Sequence, residues 1–254
     1  MKTINWKLFA VLLVASVIGD VMVLPYAATI TSTPGSLFTP FVILASMIQS
    51  AVQFSIAILI GLYLAKKIGF GLPILEGWLK GENIGSRLKS ILKISVGLGV
   101  LGSAFVIVFS LVYVPFPDIL RQSGISVPFW QDFLAIFYGG IGEEILFRLF
   151  VMTLLVWISF RIKKTANGTP TTTGIWISII VSAILFGLGH LPVASSYVSI
   201  NSMTITEAIV NNGVIGIICG WLYWKKGLES AMIAHFSSDV VLHLIVPLIL
   251  ARIA

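Results

Sequence analysis

The chain has 254 residues, of which 57% are hydrophobic and only 10% charged, where a soluble domain of ordinary composition carries roughly a quarter charged residues. A compact water-soluble globule of this length needs more polar cover than that, so the composition excludes a soluble protein and requires lipid as the solvent. The net charge of +6 does not point to nucleic acid, because the basic residues sit in short clusters between apolar runs and not along one face.

Crossing a hydrocarbon core of ~30 Å takes about 20 helical residues. Apolar stretches of that order occur near residues 6–30, 39–65, 88–114, 130–160, 174–191, 205–224 and 228–251. The first follows Lys2 and Lys7 and superficially resembles a signal peptide. Its apolar run of about 20 residues is too long for a typical h-region and reads as a retained span. After the second span, Gly71-Leu72-Pro73 breaks the helix, and residues 66–93 mix Leu72, Ile74, Leu75, Trp78 and Leu79 with Lys80, Glu82, Arg87 and Lys89. That pattern predicts an amphipathic helix lying on the cytoplasmic interface. The fourth span is long enough to tilt strongly or to break near Gly139, Gly140 and Gly142, and the fifth is short, so the count is about seven, within six to eight. Thr165 to Gly174 reads as an exposed loop, and no internal repeat marks a second unit. The expected fold is an all-α polytopic transmembrane bundle, a single membrane domain over residues 1–254.

Charge sets the expected orientation. Lys2 and Lys7 precede the first span; Lys66, Lys67, Lys80, Arg87, Lys89 and Lys93 follow the second; Arg161, Lys163 and Lys164 follow the fourth; Lys225 and Lys226 follow the sixth. The alternate loops, near residues 31–38, 115–129 and 192–204, hold little basic charge beyond Arg121. The positive-inside rule then predicts a cytoplasmic N-terminus and, with seven spans, a C-terminus outside.

An ionisable side chain inside a span costs several kcal/mol unless it is paired or faces a wet cavity, so each one is a functional candidate. They are Asp20, Glu143, Glu144, Arg148, His190, Glu207, His235, Asp239 and His243. In the fourth span Glu144 and Arg148 are an i, i+4 pair, while Glu143 is rotated away with no local cation. This suggests that Arg148 orients Glu144 and that Glu143 is left to handle protons, the three glycines admitting a backbone or a substrate close by. Phe186 and His190 share a helical face, and His235, Asp239 and His243 form a polar stripe that must turn inward. At ~1.5 Å of rise per residue, Glu143 and His190 come out about 27 and 24 Å from the basic side, and His235 and Asp239 roughly 14 and 20 Å, depths compatible with one site. The bland readings are a bracing ion pair for Glu144 and Arg148, a helix-start role for Glu207 at the outer interface, and structural roles for His243 and Asp20. The tryptophans, Trp157, Trp176, Trp221 and Trp224 among them, read as interfacial belt and packing. Cys219 is the only cysteine, which removes any intrachain disulfide and any cysteine cluster as a metal site.

Glu-Glu-x-x-x-Arg at 143–148, Phe-x-x-x-His at 186–190 and His-x-x-x-Asp at 235–239 resemble, in that order on successive apolar segments, the three motifs of the CPBP family of CAAX proteases and bacteriocin-processing enzymes. The resemblance covers residues 130–245 and implies an intramembrane endopeptidase in a prokaryotic cell membrane. Its substrate would be a membrane-tethered or hydrophobic peptide such as a prenylated C-terminal tail. It further implies that Glu143 with His190 activates water, that His235 and residue 239 stabilise the oxyanion, and that Glu144 and Arg148 support the site. Many members of that family carry asparagine where this chain has Asp239; an ionised aspartate would repel an oxyanion, so Asp239 must be protonated, orient His235 or bind a metal. Glu143, His190, His235 and Asp239 also suit a zinc shell with an open position, and the sequence leaves metal-dependent and metal-free catalysis both open. The other classes in play are a non-catalytic membrane scaffold or bacteriocin-immunity protein and a proton-coupled transporter; the transporter usually shows inverted repeats, which are not seen in the sequence.

Overall fold

The computed structural model describes residues 4–31, 39–113, 127–196 and 198–253. Lys2, Arg121 and most of the loops near residues 31–38 and 115–129 lie outside the described residues. Within them the protein is helical, and seven helices are long and apolar enough to cross a membrane. These are α1 (Trp6–Ile30), α2 (Pro40–Ile68), α4 (Gly85–Tyr113), α5 (Phe129–Ile162), α6 (Thr172–Gly189), α8 (Ser202–Lys226) and α9 (Leu228–Leu250). Two short helices complete the order: α3 (Pro73–Leu79) between α2 and α4, and α7 (Leu191–Ala194) directly after α6.

Helix starts are written locally. Asn5, Thr39, Thr171 and Asn201 each accept a backbone N–H three residues on, satisfying donors that a helix start leaves unpaired. At the other end, α2 stops at Gly69, whose φ of +78° suits glycine, after Lys66 and Lys67 in its last turn.

The fourth span does not break at its glycines. It continues as one helix that widens to π geometry over Tyr138–Glu143 and again over Ile145–Met152, and α9 does the same over Val240–Ile245 just beyond Asp239. Such turns are uncommon and concentrate at functional sites. Side chains catch two carbonyls of the widened stretch: Thr153 Oγ1 donates to the Arg148 oxygen at 3.0 Å and Ser182 Oγ to the Phe147 oxygen at 2.9 Å.

Glycine sets how closely the helices approach. A side chain at Gly61 of α2 would strike the Leu149 backbone of α5, and one at Gly187 of α6 would strike Ala208 and Ile209 of α8. A side chain at Gly99 of α4 would meet the Ala234 carbonyl of α9. Small residues at helix crossings give membrane bundles their van der Waals contact. The apolar core fills the half of the bundle nearest the basic helix ends, with Leu12, Ile58, Leu149, Met152, Val156, Ile179, Leu222 and Leu228 all buried. Ile18, Leu101, Val112 and Ile249 point outward, as lipid-facing side chains should.

Candidate active site

α5, α6 and α9 bring their polar residues to one place. Arg148 Nη1 lies 3.1 Å from Glu144 Oε1, with both side chains almost wholly buried. The same carboxylate oxygen is 2.7 Å from His235 Nδ1, a contact between α5 and α9 that helical spacing could not reveal. Held by a guanidinium on one side, Glu144 accepts the Nδ1 proton of His235, which turns the Nε2 edge towards the cavity. The guanidinium also stacks on the Phe186 ring at 4.6 Å.

Glu143 projects separately, as its rotation predicts. Its Oε2 is 3.7 Å from His235 Nε2 and its Oε1 is 3.9 Å from His190 Nε2. Its side chain keeps 18% exposure and that of His190 34%, whereas Glu144 has none. His190 is the C-cap of α6, and its Nδ1 lies 2.8 Å from the Phe186 carbonyl. A carbonyl only accepts, so Nδ1 carries a proton and donates it there, which leaves Nε2 as the ring atom facing Glu143. Phe186 packs edge-on against both imidazoles, with centroid separations of 4.7 Å to His190 and 5.7 Å to His235. One ring therefore packs against two imidazoles and one guanidinium.

Asp239 Oδ1 is 3.6 Å from His235 Nε2, too long for the intrahelical hydrogen bond that the i, i+4 spacing permits. Its other oxygen lies against Gly139, where any side chain would collide with it. A phenyl ring fills the space above Gly140, that of Phe236. Two of the three glycines thus admit α9, not a distant backbone.

These residues line one end of a cavity of about 490 Å³. Beyond Glu143, His190, His235 and Asp239 it is bounded by Asp20, which accepts from Ser46 at 3.2 Å, and by Asn211 of α8, whose amide donates to Ser110 at 3.1 Å. Asn212, Glu207 and His243 share that wall, so Asp20, Glu207 and His243 face the same hollow as the motif residues. Sequence reasoning passed over the Asn211-Asn212 pair, although two adjacent amides within an apolar span were a visible signal.

As a donor set, Glu143, His190, His235 and Asp239 offer two imidazole nitrogens and two carboxylates. Neighbouring pairs stand 3.6–3.9 Å apart, but these four do not form a group whose ligating atoms all lie within 4.8 Å of one another, so a shared ion would need them to draw together. Among the described residues, a group whose ligating atoms all lie within 4.8 Å of one another is Glu144, Cys219 and His235. That trio is already committed, Glu144 to Arg148 and His235, and the Cys219 thiol to the Ala231 carbonyl at 3.5 Å.

Residues 125–241 match the family described as Type II CAAX prenyl endopeptidase Rce1-like. The match takes in all three motifs and agrees with the family that they resemble. No curated protein and no solved structure matches the chain.

Proposed function

We propose that this integral membrane protein, whose residues 125–241 are of the Rce1-like type II CAAX prenyl endopeptidase family, hydrolyses a peptide bond in a membrane-tethered or hydrophobic peptide. The observation that carries the reading is the Glu143 carboxylate between two imidazole Nε2 atoms, at 3.7 and 3.9 Å, on the wall of a cavity inside the helical bundle. Those separations exceed a hydrogen bond yet allow one water oxygen to reach Glu143 and His190 together.

Glu143 takes a proton from that water as the oxygen attacks the scissile carbonyl, with the His190 lone pair holding the second hydrogen. The developing oxyanion faces His235, which donates from Nε2 while its Nδ1–H stays on Glu144. On collapse the Glu143 carboxyl returns its proton to the leaving nitrogen. Arg148 does not touch substrate in this scheme; it holds Glu144 in place. Asp239, beside His235 Nε2, orients the ring or, when protonated, donates to the oxyanion.

Zinc is a second reading, resting on the donor types, two imidazoles and two carboxylates, and not on their present spacing. Glu143, His190, His235 and Asp239 would hold the ion, and it would supply a water acidic enough to deprotonate near neutral pH. A strong chelator separates the two: loss of cleavage that zinc restores supports the metal site, and unchanged cleavage supports the carboxylate and imidazole route.

The direct test is cleavage of a quenched-fluorescent farnesylated peptide by protein in vesicles. Glu143→Gln keeps the size and removes the base, so the rate should fall by about 10²–10⁴-fold with the fold intact. Full activity in Glu143→Gln defeats the proposed base, whereas no cleavage by the wild type leaves a scaffold or immunity role as the better account.

A further inference from the structure

The cavity is not placed symmetrically across the bundle. Its lining comes from the helix ends opposite the basic clusters: Tyr26 and Ile30 at the close of α1, Ala135 to Tyr138 in the first part of α5, and Thr204 to Asn212 in the first part of α8. His190 caps the end of α6, and Val193 and Ala194 of α7 continue the wall. On the other side of Glu144, towards Lys67, Arg161, Lys163 and Lys226, the bundle is packed shut. Leu149, Met152, Val156, Ile179, Cys219 and Leu222 are each at most 1% exposed, and the buried Tyr223 hydroxyl is tied to Thr153 at 3.0 Å. A smaller hollow of about 320 Å³ on the basic face touches none of the site residues. Phe70 and Tyr223, in edge-to-face contact at 5.1 Å, both line it.

We infer that the active-site cavity is entered from the face opposite the basic clusters, which the positive-inside rule makes extracytoplasmic, and that it takes an internal peptide segment presented there. The substrate half of this inference rests on the peptidase reading; the direction of access does not. A free C-terminal tail adds a carboxylate that needs a cation once it leaves water. Among the described residues lining the cavity there is no lysine or arginine; His190, His235 and His243 are the groups there that can carry positive charge, against the carboxylates of Asp20, Glu143, Glu207 and Asp239. Arg148 lies behind the site, taken up by Glu144 and Phe186. A segment cut within its length brings no terminal charge into this acidic surrounding.

Single cysteines and a membrane-impermeant maleimide test the direction in cells expressing the full chain. Wild type supplies the blank, because Cys219 is fully buried. Val193→Cys and Asn212→Cys probe the cavity at two depths, so that loss of either variant from the membrane leaves the other informative, and Lys163→Cys marks the basic face. The expected result is labelling of both cavity variants in intact cells to the level seen after permeabilisation, with Lys163→Cys labelled only after permeabilisation. Cavity variants that label only after permeabilisation overturn the direction. For the substrate half, two quenched-fluorescent lipidated peptides that differ only in a free or an amidated C-terminus are supplied to purified protein in vesicles. Equal, Glu143-dependent cleavage is expected. A large loss with the amide overturns the internal-segment assignment. Labelling as expected with neither peptide cleaved overturns the peptidase reading and the substrate half with it, while the direction of access stands.

Discussion

Arg148 shows how much a single residue carries here. It is 1% exposed, pairs with Glu144 at 3.1 Å and covers the Phe186 ring, so removing it strands a buried carboxylate and unseats the ring between both imidazoles. Arg148→Leu should lose about 3–5 kcal/mol of stability, the usual cost of breaking a buried pair from one side, and thermal unfolding in detergent would read it. Arg148→Lys keeps the charge but neither the planar fork nor the stacking, so activity should fall even where folding survives. Asp239 invites the opposite test. If its value lies in donating or orienting beside His235, Asp239→Asn should keep most of the activity, whereas Asp239→Ala should lose about 10²–10³-fold as an oxyanion donor does. Equal losses in both would mean that the carboxylate itself is required, as for a metal ligand. The Glu144–Arg148 pair was legible in the sequence because both partners sit on one helix at spacing four. The 2.7 Å contact of Glu144 with His235 was not, since it joins residues 91 positions apart and periodicity is silent on which helices are neighbours.

The elements were legible where lipid dictates them. Each span announces itself by apolar length, and the alternation of basic clusters follows from helices that run back and forth. What the sequence hid is the state of α5, where Gly139, Gly140 and Gly142 suggested a break and the helix instead widens into π turns. Glycine removes both the side-chain cost of a wider turn and the obstruction to α9, so the same residues that weaken a helix let it stay whole while Asp239 and Phe236 press against it. Two glycines of α4 separate the packing role from the propensity role. Gly97 faces open space, and Gly99 faces the Ala234 carbonyl, one residue before His235. Gly97→Ala should therefore stabilise by up to about 1 kcal/mol through helix propensity. Gly99→Val should push α9 from α4 and lower both the unfolding temperature and the cleavage rate. Parallel effects of the two substitutions would show that contact with α9 is not what Gly99 serves.

At the scale of the whole molecule, the basic face and the buried site are joined through α9. Its first turn carries Glu229, whose Oε1 accepts from the Ile74 and Leu75 amides at 3.0 and 2.8 Å. The start of α3 is therefore capped by a residue about 150 positions away. Leu228 N–H donates to the Gly71 carbonyl at 3.1 Å, and Gly227, at φ +102°, packs against Pro73. The amphipathic pattern of residues 66–93 announced a short helix here, but nothing local showed what would hold it, because a seven-residue helix cannot persist by propensity alone. Glu229 supplies the missing partner, and six residues further along the same helix stands His235. Glu229→Ala leaves two amide donors at the α3 start unsatisfied, each costing about 1–3 kcal/mol where water cannot replace the carboxylate. Hydrogen exchange over residues 72–80 should then accelerate sharply. Glu229→Gln retains an acceptor oxygen and should recover much of the protection, which separates capping from net charge. If α3 stays protected in Glu229→Ala, its own apolar contacts and the Leu228–Gly71 hydrogen bond hold it down, and the Glu229 carboxylate is not what ties the basic face to the helix that bears His235.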